Sequence, residues 1–256
     1  MNARWRTAVV TGAASGIGRS FAEVLAREGT ALGLLDVSGD GLAATAEKAR
    51  AMGAVVERCV CDVSDGAAVT EAVTALAGKL RGVSLLVHCA AILGPGRFAT
   101  QAAEDFERVI RVDLLGTANV VRAVLPSLRE SRGAIACVAS TAALHGWPLM
   151  SAYAAAKFGV SGFCDAVRAE LAGEGVLLTA VYPLLIDTPL LTGADVAPIL
   201  KQGRPIPPEE VVRKTLRAVE RRRPRVFVPA TTRLVAAVHG LAPSLLDWYG
   251  RRVGLQ

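Results

Sequence analysis

Short apolar runs alternate with longer stretches of helical periodicity along the chain up to about residue 228. The runs are rich in Val, Leu, Ile and Ala and too short to be helices, so they are predicted as strands. The predicted strands are residues 7–10, 31–35, 55–60, 85–88, 134–138, 177–181 and 226–228. The stretches between them carry apolar residues three and four positions apart, which predicts helices at 17–27, 42–52, 67–80, 106–128, 152–172 and 208–222.

This alternation predicts an α/β protein with a Rossmann-type, doubly wound, parallel seven-stranded sheet and helices on both faces. No linker interrupts the pattern, so a single domain is expected over residues 1–256. Residues 184–207 break the rhythm with several Pro and Gly residues, and we interpret them as a substrate lid. Residues 229–256 form a C-terminal extension.

Composition favours a cytoplasmic protein. Apolar residues make up 52% of it, and its mean hydropathy is +0.40, yet no apolar run reaches the length of a bilayer span and no leader pattern is present. The net charge of +6 is spread thinly except at Arg221–Arg223, without the basic, aromatic-rich face expected of a nucleic-acid binder. The five cysteines lack zinc spacing, so reduced thiols and no metal site are expected: Cys59, Cys61, Cys89, Cys137 and Cys164.

A glycine-rich turn follows the first predicted strand and opens the first helix. Gly12, Gly16 and Gly18 permit a tight turn whose backbone N–H groups approach a pyrophosphate. Asp36 ends the second strand, where a carboxylate accepts hydrogen bonds from an adenosine ribose and repels a 2′-phosphate. We therefore predict NAD as the cofactor, although Arg19 keeps NADP open as an alternative.

Three polar side chains are candidates for proton chemistry. Tyr153 and Lys157 are four residues apart in a predicted helix, so they share one face. The ammonium is expected to lower the pKa of the phenol, which would make Tyr153 a general acid/base. Ser140, just after the fifth strand, is placed to hydrogen-bond the substrate oxygen.

The order of TGAASGIG, Asp36, Cys61-Asp62-Val63, Ser140 and Tyr153-x-x-x-Lys157 resembles the short-chain dehydrogenase/reductase family over residues 5–228. The resemblance implies that Asp62 and Val63 contact adenine, Lys157 also contacts the nicotinamide ribose, and Ile186 with Thr188 binds the carboxamide. With the glycine turn, the implied cofactor-binding set is Gly12, Ser15, Gly16, Ile17, Gly18, Asp36, Asp62, Val63, Cys89, Ala90, Tyr153, Lys157, Pro183, Ile186 and Thr188.

Three departures from the family pattern bear on activity. The family's Asn-Asn-Ala-Gly is His88-Cys89-Ala90-Ala91 here, so cofactor binding should be looser or differently supported. Leu184 stands where the family has Gly. The family's helix asparagine is Asp113, a fourth catalytic residue whose charge favours the ammonium of Lys157 and opposes phenolate, which predicts a higher pH optimum.

The expected substrate is a hydrophobic secondary alcohol or ketone. The predicted pocket wall is apolar and consists of Leu93, Ala142, Leu144, Leu149, Met150, Leu184 and Leu185. His145 and Trp147 are assigned to the rim or to packing, outside the catalytic set. The amphipathic C-terminal segment is expected to pack on its own subunit or a neighbour, with weak peripheral membrane contact as the alternative.

The family resemblance suggests a homodimer or homotetramer built through the helices at 106–128 and 152–172. A different class of function also remains open. The departures from the family pattern would suit a dinucleotide-binding protein with impaired catalysis, serving as a redox sensor or structural partner. The complete set of Ser140, Tyr153 and Lys157 favours the enzyme.

Overall fold

One parallel sheet of seven strands organises the chain. The computed structural model describes residues 5–191 and 204–254. The strand order is β3-β2-β1-β4-β5-β6-β7. The strands are β1 (Thr7–Thr11), β2 (Ala31–Asp36), β3 (Val56–Val60), β4 (Leu85–His88), β5 (Ala134–Val138), β6 (Leu177–Pro183) and β7 (Arg225–Val228).

Helices cover both faces, as predicted. The α-helices are α1 (Gly16–Arg27), α2 (Gly39–Ala51), α3 (Gly66–Leu80), α4 (Ala103–Val109), α5 (Gly116–Ser131), α6 (Ser151–Leu171), α7 (Pro208–Glu220), α8 (Arg233–Leu241) and α9 (Pro243–Gly254). On one face, α1, α2 and α7 bury residues such as Phe21, Leu42 and Val212 against the sheet. On the other, α3, α5 and α6 bury residues such as Val121 and Val160. The central strands β1, β4 and β5 are therefore buried throughout.

The strand order reverses direction between β1 and β4. These strands run side by side, with Thr11 opposite His88 at their carboxyl ends. A crevice opens where crossovers leave a parallel sheet in opposite directions, and this is where such folds bind ligands. The topology thus places the glycine-rich turn after β1 beside the segment after β4.

The predicted helix at 106–128 is wound differently from expectation. It begins at Ala103 and is interrupted by a π-helical segment, Ile110–Leu115, between α4 and α5. Asp113 lies inside this wider segment. Such interruptions are frequent at functional sites.

The predicted lid lies partly outside the described residues, which omit 192–203. Its described parts include a 3₁₀ turn, Pro189–Leu191, and a parallel bridge between Ile186 and Ile206. The C-terminal extension forms α8 and α9. Within the described ranges, no helix combines the length and apolarity needed to cross a bilayer.

Candidate active site

The glycine-rich turn packs too closely for side chains at two positions. Gly12 has φ +64°, and a Cβ there would lie 2.8 Å from the backbone N of Ala90. A Cβ on Gly18 would lie 2.1 Å from the carbonyl oxygen of Gly12. Glycine at these positions lets α1 begin tightly against the turn and lets the turn contact the segment after β4.

A cleft of about 910 Å³ opens over this turn. Ser15, the N-cap of α1, makes no side-chain capping bond, and the first turn of α1 has no acidic residue, so its N–H dipoles point to a site suited to an anion. These features fit the pyrophosphate of a dinucleotide. The predicted cofactor residues that line the cleft are Gly12, Ser15, Gly16, Ile17, Gly18, Asp36, Asp62, Val63, Cys89, Ala90 and Thr188.

Asp36 lies at one end of the cleft with its carboxylate held in place. Its Oδ2 accepts the N–H of Ala14 at 2.9 Å, and its Oδ1 accepts the N–H of Ser38 at 2.9 Å. Arg19 lies behind the turn: its guanidinium donates to the carbonyl of Ala14 and to Oγ1 of Thr45. Asp36 lines the cleft, whereas Arg19 is held away from it.

Asp62 and Val63 lie near the same end. The Asp62 carboxylate accepts the N–H of Ser64 at 2.8 Å, which is a turn-forming bond. Val63 is buried and lines the cleft, and a Cβ on Gly116 would come within 2.7 Å of its Cγ2. The structural role of Asp62 and its expected contact with adenine are compatible, because a carboxylate has further lone pairs.

Ser140, Tyr153 and Lys157 converge at the carboxyl end of β5. Ser140 follows the strand and begins a 3₁₀ turn by accepting the N–H of Ala142 at 3.1 Å. Tyr153 and Lys157 project from the first two turns of α6, with the lysine Nζ 5.3 Å from the centre of the phenol ring. All three side chains are buried, and the hydroxyl of Ser140 lies close enough to Tyr153 to lower the pKa of the phenol.

Asp113 completes this cluster from the π-helical segment. Its Oδ2 lies 3.0 Å from Nζ of Lys157, and both side chains are almost fully buried. Its Oδ1 accepts the N–H of Ile92 at 2.9 Å, so the carboxylate also fixes the chain after β4. Asp113 is therefore an ion-pair partner of Lys157.

The pKa of Tyr153 is higher than its sequence neighbours alone would suggest. Burial raises the pKa of the phenol; Lys157 and the hydroxyl of Ser140 lower it, Asp113 raises it, and the net pKa lies above the ordinary tyrosine value. Burial lowers the pKa of Lys157, but Asp113 and Tyr153 outweigh it, so the lysine pKa is raised. Burial also raises the pKa of Asp113. Lys157 lowers the pKa of the phenol as expected, but the burial of Tyr153, which the sequence does not show, outweighs this effect.

His88 supplies a tie that the sequence did not reveal. Its Nδ1 lies 2.8 Å from Oγ1 of Thr11, and its Nε2 lies 3.0 Å from Oγ1 of Thr117. Thr117 uses its own proton to bond the carbonyl of Asp113 at 2.5 Å, so it accepts from His88. His88 is therefore protonated on Nε2 only, and burial lowers its pKa to about 3.

Thr11 completes this tie on the cofactor side. Its hydroxyl donates to His88 and accepts the N–H groups of Cys89 and Ala90 at 3.2 and 3.3 Å. The imidazole thus links the end of β1 to α5, where the family pattern uses amides. Of the two outcomes expected for this departure, the structure shows different support. Thr11 and His88 lie directly opposite each other at the ends of β1 and β4, a pairing that becomes visible only once the strands are aligned.

A smaller cavity of about 80 Å³ is lined by Ser140, Tyr153 and Lys157. This cavity adjoins the larger cleft, and both are lined by Ile17, Cys89 and Thr188. Ser140, Tyr153 and Lys157 line only the smaller cavity, so proton transfer to a substrate would take place there. Pro183 and Ile186 also line it. Of the predicted wall, Leu93, Ala142, Met150, Leu184 and Leu185 line the cavity.

Two predicted wall residues do not line it. Leu144 packs instead against the main core, and Leu149, at φ +66°, gives its carbonyl to the N–H of Gly96. Trp147, assigned to the rim or to packing, does line the cavity. His145 is buried with its ring 4.6 Å from that of Trp147. In the described part of the chain, no group of His, Cys, Asp or Glu is arranged to hold a metal ion.

The described site, with its glycine turn and buried Ser-Tyr-Lys cluster on a doubly wound sheet, defines a dinucleotide-dependent oxidoreductase. The short-chain dehydrogenase pattern matches residues 6–196, and the chain belongs to this family.

Known relatives agree with this assignment. The chain is 40% identical over 188 residues to the 2-dehydro-3-deoxy-L-rhamnonate dehydrogenase (NAD(+)) of a Sphingomonas species, covering 73% of this chain and 74% of that protein. It is 34% identical over 221 residues to the glycine betaine reductase ATRR of Emericella nidulans, covering 84% of this chain but only 17% of that longer protein. An alcohol dehydrogenase from Thermococcus sibiricus, solved with 5-hydroxy-NADP, superposes with a TM-score of 0.79 at 25% identity, over 87% of this chain and 95% of that one.

Proposed function

We propose that the protein transfers hydride between NAD(H) and a hydrophobic secondary alcohol or ketone, with Tyr153 as general acid/base. One observation carries the proposal: Tyr153 lies beside Lys157 and, with Ser140, lines an apolar cavity that adjoins the dinucleotide cleft. When bound, the nicotinamide supplies or accepts the hydride. The chain's own side chains position the substrate oxygen and move its proton.

Each side chain has a distinct task. The hydroxyls of Ser140 and Tyr153 bind one substrate oxygen, and Tyr153 gives or takes its proton. The Lys157 ammonium stabilises negative charge that develops on that oxygen and on the phenol. Asp113 acts as a positioning residue, because it holds Lys157 and the chain at Ile92 from one carboxylate.

The raised pKa of Tyr153 favours the reductive direction near neutral pH. A phenol that stays protonated is ready to donate its proton to a ketone oxygen. Alcohol oxidation requires the phenolate, so its rate should rise toward alkaline pH. This agrees with the higher pH optimum expected from Asp113.

The cofactor preference for NAD rests on Asp36. Its carboxylate lines the cleft, fixed by two backbone N–H groups, while the guanidinium of Arg19 is held behind the turn. A ribose diol can donate to such a carboxylate, whereas a 2′-phosphate is repelled by it. Relatives of both kinds exist, since one is named for NAD(+) and another was solved with an NADP derivative.

The substrate class rests on the lining of the small cavity. Apart from the catalytic groups, two threonines and Cys89, its walls are aliphatic or aromatic, including Leu93, Met150, Trp147 and Leu185. Removing apolar substrate surface from water in such a site contributes about 25 cal/mol per Å². A sugar or acid would find few partners for its polar groups.

A catalytically impaired dinucleotide-binding protein is the competing function. The test compares Tyr153→Phe with the parent on a panel of lipophilic ketones and alcohols, with both NAD(H) and NADP(H). Turnover should fall about 10²–10⁴-fold, since the change removes the transferred proton. Tyr182→Phe is the matched control, because that buried phenol bonds Ser161 outside the cavity. Cofactor binding without any Tyr153-dependent turnover would establish the competing function.

We also propose a cytoplasmic homodimer or homotetramer that uses α5 and α6. The five cysteines are free thiols, which suits a reducing compartment. Leu115 and Phe158, on the π-helical segment and on α6, are exposed apolar side chains suited to a subunit contact. Light scattering of the purified protein tests the assembly, and a monomeric mass would contradict it.

A further inference from the structure

The C-terminal helical hairpin, formed by α8 and α9, exposes an apolar stripe on each helix. In α8, Leu234, Ala237 and Leu241 are exposed at positions i, i+3 and i+7, so they share one face. In α9, the apolar side chains of Leu245 and Trp248 are exposed at i and i+3, and the charged Arg252 follows on the same face at i+7. Leu241 is 88% exposed and Trp248 is 52% exposed.

The opposite faces of the hairpin lie on the body of the protein. The His239 ring on α8 lies 5.5 Å from that of His145. Gly250 on α9 is buried, and a Cβ added there would lie 3.7 Å from the ring of Trp147. The exposed stripes therefore point away from the core, and intramolecular packing explains only the inner faces.

The hairpin itself carries a small excess of positive charge. Residues 233–254 contain three arginines, Arg233, Arg251 and Arg252, against one acidic residue, Asp247. On the outer face of α9, the Arg252 guanidinium lies 5.6 Å from the Trp248 ring, so cation and aromatic surface are adjacent. Arg251 is also exposed.

We propose that the outer face of the α8–α9 hairpin binds an anionic lipid surface. Leucine and tryptophan side chains on one face of a helix enter the boundary between headgroups and acyl chains, and neighbouring arginines bind anionic headgroups. Contact between two copies fits less well. A two-fold interface would place the same arginine-bearing patch against itself, so like charges would meet.

The test is sedimentation of the full chain with phosphatidylcholine vesicles and with vesicles of phosphatidylcholine and phosphatidylglycerol in equal parts. The parent should bind the anionic vesicles and bind phosphatidylcholine weakly. Replacing both Arg251 and Arg252 by Gln should weaken anionic binding about 25-fold, given roughly fivefold for each charge. Trp248→Glu and Leu241→Glu should weaken it on both vesicle types.

Val55→Glu is the matched control. Val55 precedes β3, at the opposite edge of the sheet from β7, and its 66% exposure equals that of Leu234. The control should bind vesicles like the parent, and all variants should keep the parent's thermal midpoint. The proposal is overturned if the parent fails to bind anionic vesicles, or if the hairpin variants bind as the parent does. It is also overturned if the parent does not bind and the hairpin variants change its oligomeric mass, since a second copy would then cover this face.

Discussion

The two ends of the cleft control charge in different ways. At the catalytic end, Asp113 and Lys157 are both almost fully buried, and each charge depends on the other. At the adenine end, Asp36 and the exposed Asp62 lie close to water, held by backbone N–H groups. Buried charges without partners are costly, whereas exposed ones are screened by solvent. Changes at the catalytic end should therefore affect both stability and turnover, and changes at the adenine end should affect cofactor choice.

The largest effect is expected for Lys157→Met. This change removes the cation from the catalytic cluster and leaves the Asp113 carboxylate buried without its partner. Breaking a buried pair in this way costs about 3–5 kcal/mol of unfolding free energy, which urea unfolding measures. Turnover should fall about 10²–10⁴-fold.

Adding Asp113→Asn to Lys157→Met separates these two losses. The double variant should recover most of the stability, because no uncompensated charge remains, but none of the turnover. If Lys157→Met alone is as stable as the parent, the unfolding free energy does not depend on the pair formed by Asp113 and Lys157.

His88→Ala should be the next most damaging change. It removes the bonds to Thr11 and Thr117 and leaves a cavity, at a cost of about 2–4 kcal/mol in unfolding free energy. Cofactor affinity should fall as well, because Thr11 holds the N–H groups of Cys89 and Ala90. His88→Asn is the matched control and should recover part of both.

The same residue gives the protein a pH dependence of stability. The pKa of His88 is about 3 in the folded chain and near 6.5 in its ordinary state, so unfolded chains bind more protons between these values. The stability that neutral His88 contributes is present above about pH 6.5 and is lost as the pH falls toward 3. His88→Asn should show a shallower loss over this window, and equal slopes would contradict the assignment.

At the adenine end, Asp36→Ala should change cofactor preference with little effect on turnover. Losing charged hydrogen bonds to the ribose should weaken NAD binding about 10- to 100-fold, while NADP binding improves because repulsion is removed. Fluorescence titration of both cofactors measures the change, with Asp36→Asn as the control that keeps an acceptor. An unaltered preference would mean that this end does not select the cofactor.

Asp113→Asn should have the smallest effect on maximal rate, because an amide can still hold Lys157 by a hydrogen bond. Like Lys157→Met, it leaves a buried charge without its counter-charge and should lower the unfolding free energy, and its effect on catalysis should appear in the pH profile. The Asp113 carboxylate raises the pKa of Tyr153, so replacing it by an amide lowers that pKa. The acid limb of alcohol oxidation should then move to lower pH, and ketone reduction should lose activity at lower pH than in the parent. Rates measured against pH in both directions test this, and an unmoved profile in each would refute it.

The sequence predicted the strands well because buried parallel strands are short, continuous apolar runs. Its boundaries were less accurate: β6 extends to Pro183, and the helix predicted at 106–128 is split by the π-helical segment, which keeps the same apolar spacing. The glycine turn, Asp36 and the Ser140, Tyr153 and Lys157 cluster were found because each requires particular residue types at fixed spacing.

What the sequence could not give depends on three-dimensional surroundings. The net pKa of Tyr153 reflects burial, which no spacing encodes. The tie made by His88 joins residues 77 and 29 positions away, so neither contact leaves a local pattern. Leu144 and Leu149 looked like wall residues by proximity to Ser140, but the chain turns them away from the cavity.

The π-helical winding has a consequence for engineering this enzyme. A turn closed by i→i+5 hydrogen bonds holds one more backbone unit than an ordinary turn, and here that turn includes Asp113. Deleting a single residue between positions 110 and 115 would restore regular winding with α4 and α5 in nearly their present registers, but it would change the direction in which Asp113 projects. The direction in which the Asp113 carboxylate projects thus depends on the number of residues in this segment as well as on the residue type. Substitutions alone would not reproduce that direction on a regular helix.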